Sequence, residues 1–167
     1  MPPTPGGPGG ERAAPGRTAP DLRALRGGSG AGSLTGGRGG IEGEPIPLDS
    51  TDPRLADYLQ RIKRMIEKHW AWPCMKNAGS PECDYRSAQL LVEFGILKDG
   101  KLQFIELRRT SGVTPYDDSA LTAIKLASPF PEVPRAMMEK ARAGSTGVPI
   151  VAHFIYHYEV SVRTLLR

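Results

Sequence analysis

The sequence predicts an α+β domain: two helices packed on a three-stranded antiparallel sheet, in the order helix, strand, strand, helix, strand. Three observations carry this. Apolar residues recur at helical spacing in two stretches and alternate in strand fashion in three others. Asp99-Gly100 sits between two of the alternating runs, where it reads as a type I′ hairpin turn. Ser128-Pro129-Phe130-Pro131 then stops the second helix, since proline cannot continue it.

The domain occupies 51–167. Residues 1–50 hold 14 of the 20 glycines and 8 of the 16 prolines, and no aromatic residue. So little apolar side chain cannot offset roughly 1–2 kcal/mol of backbone entropy per ordered residue, and 1–50 reads as a disordered Gly/Pro-rich linker. Its five arginines balance five acids, so the net charge of +4 belongs to the domain. That excess is too small and too dispersed for a nucleic-acid arm. No apolar run reaches the ~18 residues of a membrane span, and the start lacks the basic and apolar regions of a signal peptide. The chain is therefore cytosolic, or a fragment whose export or anchor segment lies upstream.

Asp52 can cap a first helix and Pro53 suits its first position. Leu55, Leu59, Ile62, Ile66 and Trp70 give it an apolar stripe over about 53–69. Arg61, Lys63, Arg64 and Lys68 form a basic far side, read as solvated. Leu90, Val92, Phe94 and Ile96 make the first strand; Leu102, Phe104, Ile105 and Leu107 make the second, with a bulge expected between Phe104 and Ile105. Thr114 and Asp117 are spaced as a capping box ahead of a helix with buried Ala120, Leu121, Ile124 and Ala127. A short turn or helix over 135–142 leads to the last strand, where Ile150, Ala152, Phe154, Tyr156 and Tyr158 share one face and Val151, His153, Ile155 and His157 the other.

Catalytic and metal chemistry find no purchase in these residues. His153 and His157 share a face, but four residues of strand hold them about 13 Å apart, too far to ligate one metal. Ala143-Gly144-Ser145-Thr146-Gly147 lacks the first glycine of a nucleophile elbow and precedes a strand. Glu93 and Glu106 face each other across the hairpin, which reads as a surface carboxylate pair. Cys74 and Cys83 do not have the spacing of zinc or redox pairs. In an oxidising compartment they would close a loop worth roughly 2–3 kcal/mol; in the cytosol they would be two thiols. Standing alone at the ends of one polar loop, they favour the disulfide. A thiolate nucleophile would need cationic neighbours, and only Lys76 is near in sequence. The sequence therefore describes a non-enzymatic domain without a cofactor.

Recognition remains. With the first strand central, the sheet has two edges, and an exposed edge is a template for an added strand. The last strand is long, regular and free of lysine over Ile150, Val151, Ala152, His153, Phe154, Ile155, Tyr156, His157 and Tyr158, which makes these the candidate partner-binding residues. A loop, a linker segment or a second copy could instead cover that edge.

Tyr58-Leu59-x-x-Ile62-x-x-x-Ile66-x-x-x-Trp70-x-x-Pro73 resembles the opening helix of the TonB/TolA C-terminal domains of bacterial envelope energy transducers. Val92-x-Phe94-x-Ile96-x-x-Asp99-Gly100, Ser111-Gly112, Asp117-x-x-Ala120-Leu121-x-x-Ile124, Pro129-Phe130-Pro131 and Phe154-x-Tyr156 resemble the rest, over about 55–160. The resemblance implies a periplasmic domain on an inner-membrane anchor driven by an ExbB/ExbD-like motor. It also implies an outer-membrane transporter segment paired along 150–158, and it favours the Cys74–Cys83 disulfide. A TolA-like or motility-type scaffold gripping a periplasmic protein is the alternative, and a homodimer is compatible with either. Gly-rich composition in place of Glu-Pro and Lys-Pro repeats, and the cysteine-bearing insert after Trp70, depart from transporter-coupled members.

Overall fold

The computed structural model describes residues 37–76, 78–159 and 162–167. The expected linker over 1–36 lies outside them. Helices α1 (Pro53–Glu67), α2 (Thr114–Ala127) and the short α3 (Arg135–Met138) cover one face of a mixed sheet. Its strands are β1 (Ile46–Pro47), β2 (Ala88–Leu97), β3 (Leu102–Arg109), β4 (Gly147–Tyr158) and β5 (Val162–Leu166). They run in the order β1-β4-β2-β3, with β5 also on β4. The class is the α+β one expected, but the sheet has five strands, not three. Both additions come from segments without a strong apolar alternation.

The shared layer is built as the periodicity requires. Leu55, Tyr58, Leu59, Ile62 and Ile66 of α1 are buried against Leu90, Val92, Phe94 and Ile96 of β2 and Ile150, Ala152, Phe154 and Tyr156 of β4. Alanines 120, 123 and 127 let α2 approach closely. Asp52 caps α1, accepting from the Arg54 backbone N–H at 2.9 Å. Contacts with Arg54 hold its carboxyl down to a pKa of about 2. The capping box of α2 does not form. Asp117 is buried and instead accepts from Thr110 Oγ1 and, at 2.9 Å, from the Ser111 N–H, tying the helix start to the end of β3. A buried carboxylate gains more from two fixed donors at a strand end than from a solvated helix amide.

The hairpin turn is wider than type I′. Gly100 N–H donates to Leu97 O and Leu97 N–H to Lys101 O, both at 2.8 Å, with Gly100 at φ +99°. The Pro-Phe-Pro segment docks on it: Phe130 N–H donates to Gly100 O and Val133 N–H to Lys98 O, both at 2.9 Å.

Two corrections concern the outer, helix-free face. No bulge separates Phe104 from Ile105. The register shifts fall opposite Leu91/Val92 and Gly95/Ile96, and Phe104 and Ile105 point to opposite faces, both fully buried. Phe104 is covered because residues 37–50, expected to be disordered, lie across the sheet as a strap. Ile41 packs on Gly95 beside Phe104, and an added Cβ at Gly95 would stand 2.1 Å from the Phe104 ring and 2.8 Å from Ile41. Arg38 stacks on the Phe104 ring at 4.2 Å. The strap continues through Thr146 N–H to Gly40 O at 3.1 Å and Arg142 N–H to Glu42 O at 3.1 Å, and Ile46 enters β1. Averaged over fifty residues the composition is that of a coil; locally, Ile41, Ile46 and Leu48 suffice to anchor it.

Glu93 and Glu106 are cross-strand partners, as the hairpin suggested, but Glu93 is buried. Arg38 and Arg108 each reach it at 2.6 Å, and both also touch Glu106. Burial pushes the Glu93 carboxyl above its ordinary pKa and outweighs the two guanidinium groups that pull it down. Removing one of two cations from a buried carboxylate is costly. Arg38 is partly exposed, which tempers that cost, so Arg38→Ala is expected to destabilise the domain by about 2 kcal/mol. Urea denaturation checks this, and loss of amide protection over 38–48 locates it in the strap.

Candidate functional site

β4 is the strand on which the sequence places the partner site, and its backbone is paired on both sides. Toward the interior it pairs antiparallel with β2 over ten residue pairs, from Ala88↔Tyr156 to Leu97↔Gly147. On the other side, β1 pairs in parallel as Ile46↔Ile150 and Pro47↔Val151. Leu48 N–H then donates to Val151 O at 2.9 Å. Beyond it β5 takes over, with Phe154↔Leu166, Ile155↔Leu165, Tyr156↔Thr164, His157↔Arg163 and Tyr158↔Val162. The expectation that 150–158 forms a bare edge is therefore corrected. A strap and a C-terminal strand cover it, the strap belonging to the segment assigned to the linker.

The alternation along β4 is as predicted. Ile150, Ala152, Phe154 and Tyr156 are buried under the helices, while Val151, His153, Ile155 and His157 are half-buried on the outer face and Tyr158 is exposed. His153 and Arg167 exchange both backbone hydrogen bonds, at 2.7 and 3.0 Å. In an antiparallel pair such doubly bonded residues recur every second position, so the N–H and C=O of Ile155 and His157 also point to β5. The partner-facing groups are thus those of 153, 155 and 157, and β5 alone holds the last two.

β5 is lightly held. Leu166 is its one buried side chain among the described residues; Arg163, Thr164 and Leu165 are exposed. Among the described side chains, lifting β5 away exposes one buried leucine, a cost of about 1.5–3 kcal/mol. The buried half of β4 is held far more firmly. Tyr156 OH donates to Tyr116 O at 2.9 Å and accepts from Trp70 Nε1 at 2.8 Å, while Trp72 Nε1 donates to Tyr116 OH at 2.8 Å. Burial pushes the Tyr156 phenol up to about 12. Trp72 also meets Tyr85, Tyr116, Tyr156 and Tyr158 edge-on, which seats the loop closed by the Cys74–Cys83 disulfide at the C-terminal end of β4.

His153 lies 2.7 Å from Gln89 Oε1 through its Nε2. Desolvation, then Arg109 and Arg167, hold its pKa below the ordinary histidine value. His157 faces Glu159 at 3.6 Å. Among the described residues, no three His, Cys, Asp or Glu side chains converge as metal ligands, and no helix is long and apolar enough to cross a membrane.

Sequence reasoning missed the strap and β5. The signal for β5 is Val162, Thr164 and Leu166 at strand spacing, a pattern too short to separate from a coil.

Comparison with curated proteins finds no match. Among solved structures, the solution NMR structure of TolAIII bound to a peptide derived from the N-terminus of TolB is similar. The identity is 20%, over 61% of this chain and 74% of that one, with a TM-score of 0.41. The profile of the family described as TonB C terminal matches residues 55–144, more than half of the 167 residues, and stops just before β4 begins. The matched stretch holds α1 from Leu55 onward, α2, α3 and the β2–β3 hairpin, in the order the sequence predicted. The chain belongs to the TonB C-terminal family.

Proposed function

We propose that this is the periplasmic protein-binding domain of a TonB-like energy transducer. It receives an extended segment of an outer-membrane transporter as a strand added to β4 along Ile150–Tyr158. An upstream inner-membrane anchor and an ExbB/ExbD-like motor drive it. The single observation supporting this reading is the weak cover on β4. Among the described residues the edge groups of Ile155 and His157 face β5 alone, and Leu166 is the one buried side chain its removal exposes. A partner strand would restore the same backbone bonds and add its own side-chain contacts, so replacement is close to isoenergetic before those contacts are counted. β1 spans only two residues and can be retained or displaced.

A TolA-like or motility-type scaffold is favoured by one feature, the glycine-rich composition before the domain in place of Glu-Pro and Lys-Pro repeats. The two readings share the strand and differ in the partner.

Proline at Ile155 tests the strand. It removes an N–H that faces β5 and leaves the bonds to β2 in place, so the fold loses about 1 kcal/mol. In the full-length protein in its own cell, a photo-crosslinking side chain at His157 is expected to capture an outer-membrane transporter. Ile155→Pro should cut that yield at least tenfold, and deletion of 162–166 should raise it. A periplasmic soluble protein at the same position supports the scaffold. Undiminished crosslinking in a folded Ile155→Pro variant rules out strand addition here.

A further inference from the structure

The outer face of the sheet is only half covered. The strap closes the end around Phe104 and Gly95, where Arg38 and Arg108 are both spent on Glu93 and Glu106. Toward β5 no helix or strap of the described residues lies over it. Registered partners in a sheet point to the same side. The pairings Leu91↔Arg109 and Leu91↔His153, with the His153–Arg167 backbone bonds, therefore set Arg109, Leu91, His153 and Arg167 in one row across β3, β2, β4 and the residue after β5. The next rows are Gln89, Ile155 and Leu165, then His157 and Arg163.

The chemistry of this surface is an apolar middle with a basic rim. Leu91, Val151 and Ile155 are half-buried, and Leu165 is 45% exposed. Leu165 is one of the three large exposed apolar side chains among the described residues. Two shallow depressions meet at Arg167, one reaching Ile155 and Leu165, the other Leu91 and Val151. Arg109, Arg163 and Arg167 have no ion-pair partner among the described residues, whereas Arg38, Arg54, Arg86 and Arg108 each have one. The acids at the margin are Asp49, beside His153 and Arg167, and Glu159, opposite His157.

We propose that this face, centred on Leu91, Ile155 and Leu165 and rimmed by Arg109, Arg163 and Arg167, docks an acidic segment of a partner protein through an apolar side chain flanked by carboxylates. Charge excludes the nearer occupants. The chain's own residues 1–36 carry four arginines against two acids. A second copy paired symmetrically through this face would set Arg109, Arg163 and Arg167 against the same basic rim. An acidic segment complements the unpaired rim, and the apolar centre supplies the desolvated contact that rim charges alone do not.

The site stands whether or not β4 accepts a strand, and the two readings separate cleanly. Arg163 and Leu165 belong to β5, so deleting 162–166 opens β4 to strand addition but dismantles this face.

The probe is a short fluorescein-labelled peptide with glutamates around a Leu-Phe pair, titrated into the full chain by anisotropy and mapped by amide chemical shifts. Binding is expected to perturb Leu91, His153 and Ile155 and to weaken about tenfold in Arg109→Glu/Arg167→Glu, two exposed charges whose reversal leaves the core intact. Arg109→Glu alone, on β3, should weaken it about threefold without touching β5. The version with lysines in place of glutamates should not bind. No binding by the glutamate peptide, equal affinity in the double variant, or shifts confined to the outer side of α1 would overturn the proposal. So would phosphatidylglycerol vesicles that bind this face and displace the peptide, which would make it a lipid-contacting surface.

Discussion

Gly100→Ala is expected to lower the stability of the domain by about 3–4 kcal/mol. Gly100 sits at φ +99°, where a side chain costs roughly 1–2 kcal/mol in backbone strain. The larger part is spatial. A Cβ there would stand 2.0 Å from Phe130 O and 3.0 Å from Phe130 C, atoms of backbone that no rotamer change can move. Relief requires the hairpin and the Pro-Phe-Pro segment to separate. That stretches the Phe130 N–H to Gly100 O and Val133 N–H to Lys98 O bonds, each worth about 1 kcal/mol. Against a typical total of about 5–15 kcal/mol the loss is severe, and the thermal midpoint should fall by ~10 °C or more. Gly100→Asn separates the causes, because asparagine tolerates positive φ but carries the same Cβ. It should recover at most the strain component. If Gly100→Asn matches wild type in urea denaturation, the contact with Phe130 does not matter.

Tyr156→Ala is the second large effect, about 3–5 kcal/mol, in the range of deleting a fully buried aromatic ring. The ring is 1% exposed, with centroids 4.5 Å from Tyr116 and 5.2 and 5.5 Å from Trp70 and Trp72. Its removal leaves a cavity and strips partners from Trp70 Nε1 and Tyr116 O. Tyr156→Phe keeps the ring and loses only those bonds, so it should cost about 1–2 kcal/mol. Trp70 and Trp72 are the only tryptophans in the chain, so their fluorescence reads out both variants. A small, equal cost for the two would mean that the cluster repacks freely and does not seat the disulfide loop. These costs on the buried side of β4 exceed that of exposing Leu166, the buried side chain of β5 among the described residues, so strand exchange as proposed above would replace one neighbour of β4 without loosening the other.

Legibility in the sequence followed the range of the interactions. The stripe Leu55–Leu59–Ile62–Ile66, the alternation of β2 and β4, and the Asp99-Gly100 turn are local patterns, and each lies where its spacing puts it. The Cys74–Cys83 pair, readable as a disulfide or as two thiols, is bonded. The capping box failed although Thr114 and Asp117 are correctly spaced, because the end of β3 offers Asp117 better donors. Glu93 looked like a surface acid because its burial depends on Arg38, fifty-five residues upstream. The candidate site was legible as a strand but not as a covered one. Whether β4 has a free edge depends on Ile46, over a hundred residues earlier, and on a five-residue strand with one buried side chain. The first leaves no periodic signature, and the second leaves one too short to separate from a coil.

The strap also fixes the order in which the domain would yield to a pull from its N-terminal side. Tension arriving at Gly37 would meet the Gln103 Nε2 bond to Gly37 O and the Arg38–Glu93 and Arg38–Glu106 contacts first, then the Thr146 bonds to Gly39 O and Gly40 O, then Ile41 over Gly95 and the two residues of β1, and only afterwards α1 and the core. Releasing 37–50 would free a segment whose full extension is at most about 45–50 Å at ~3.3–3.6 Å per residue, less the span it already covers, with the helical layer still packed on the sheet. Under such a pull the strap would act as a stored length of slack, with the Gln103 and Arg38 contacts as the catch that lets it out.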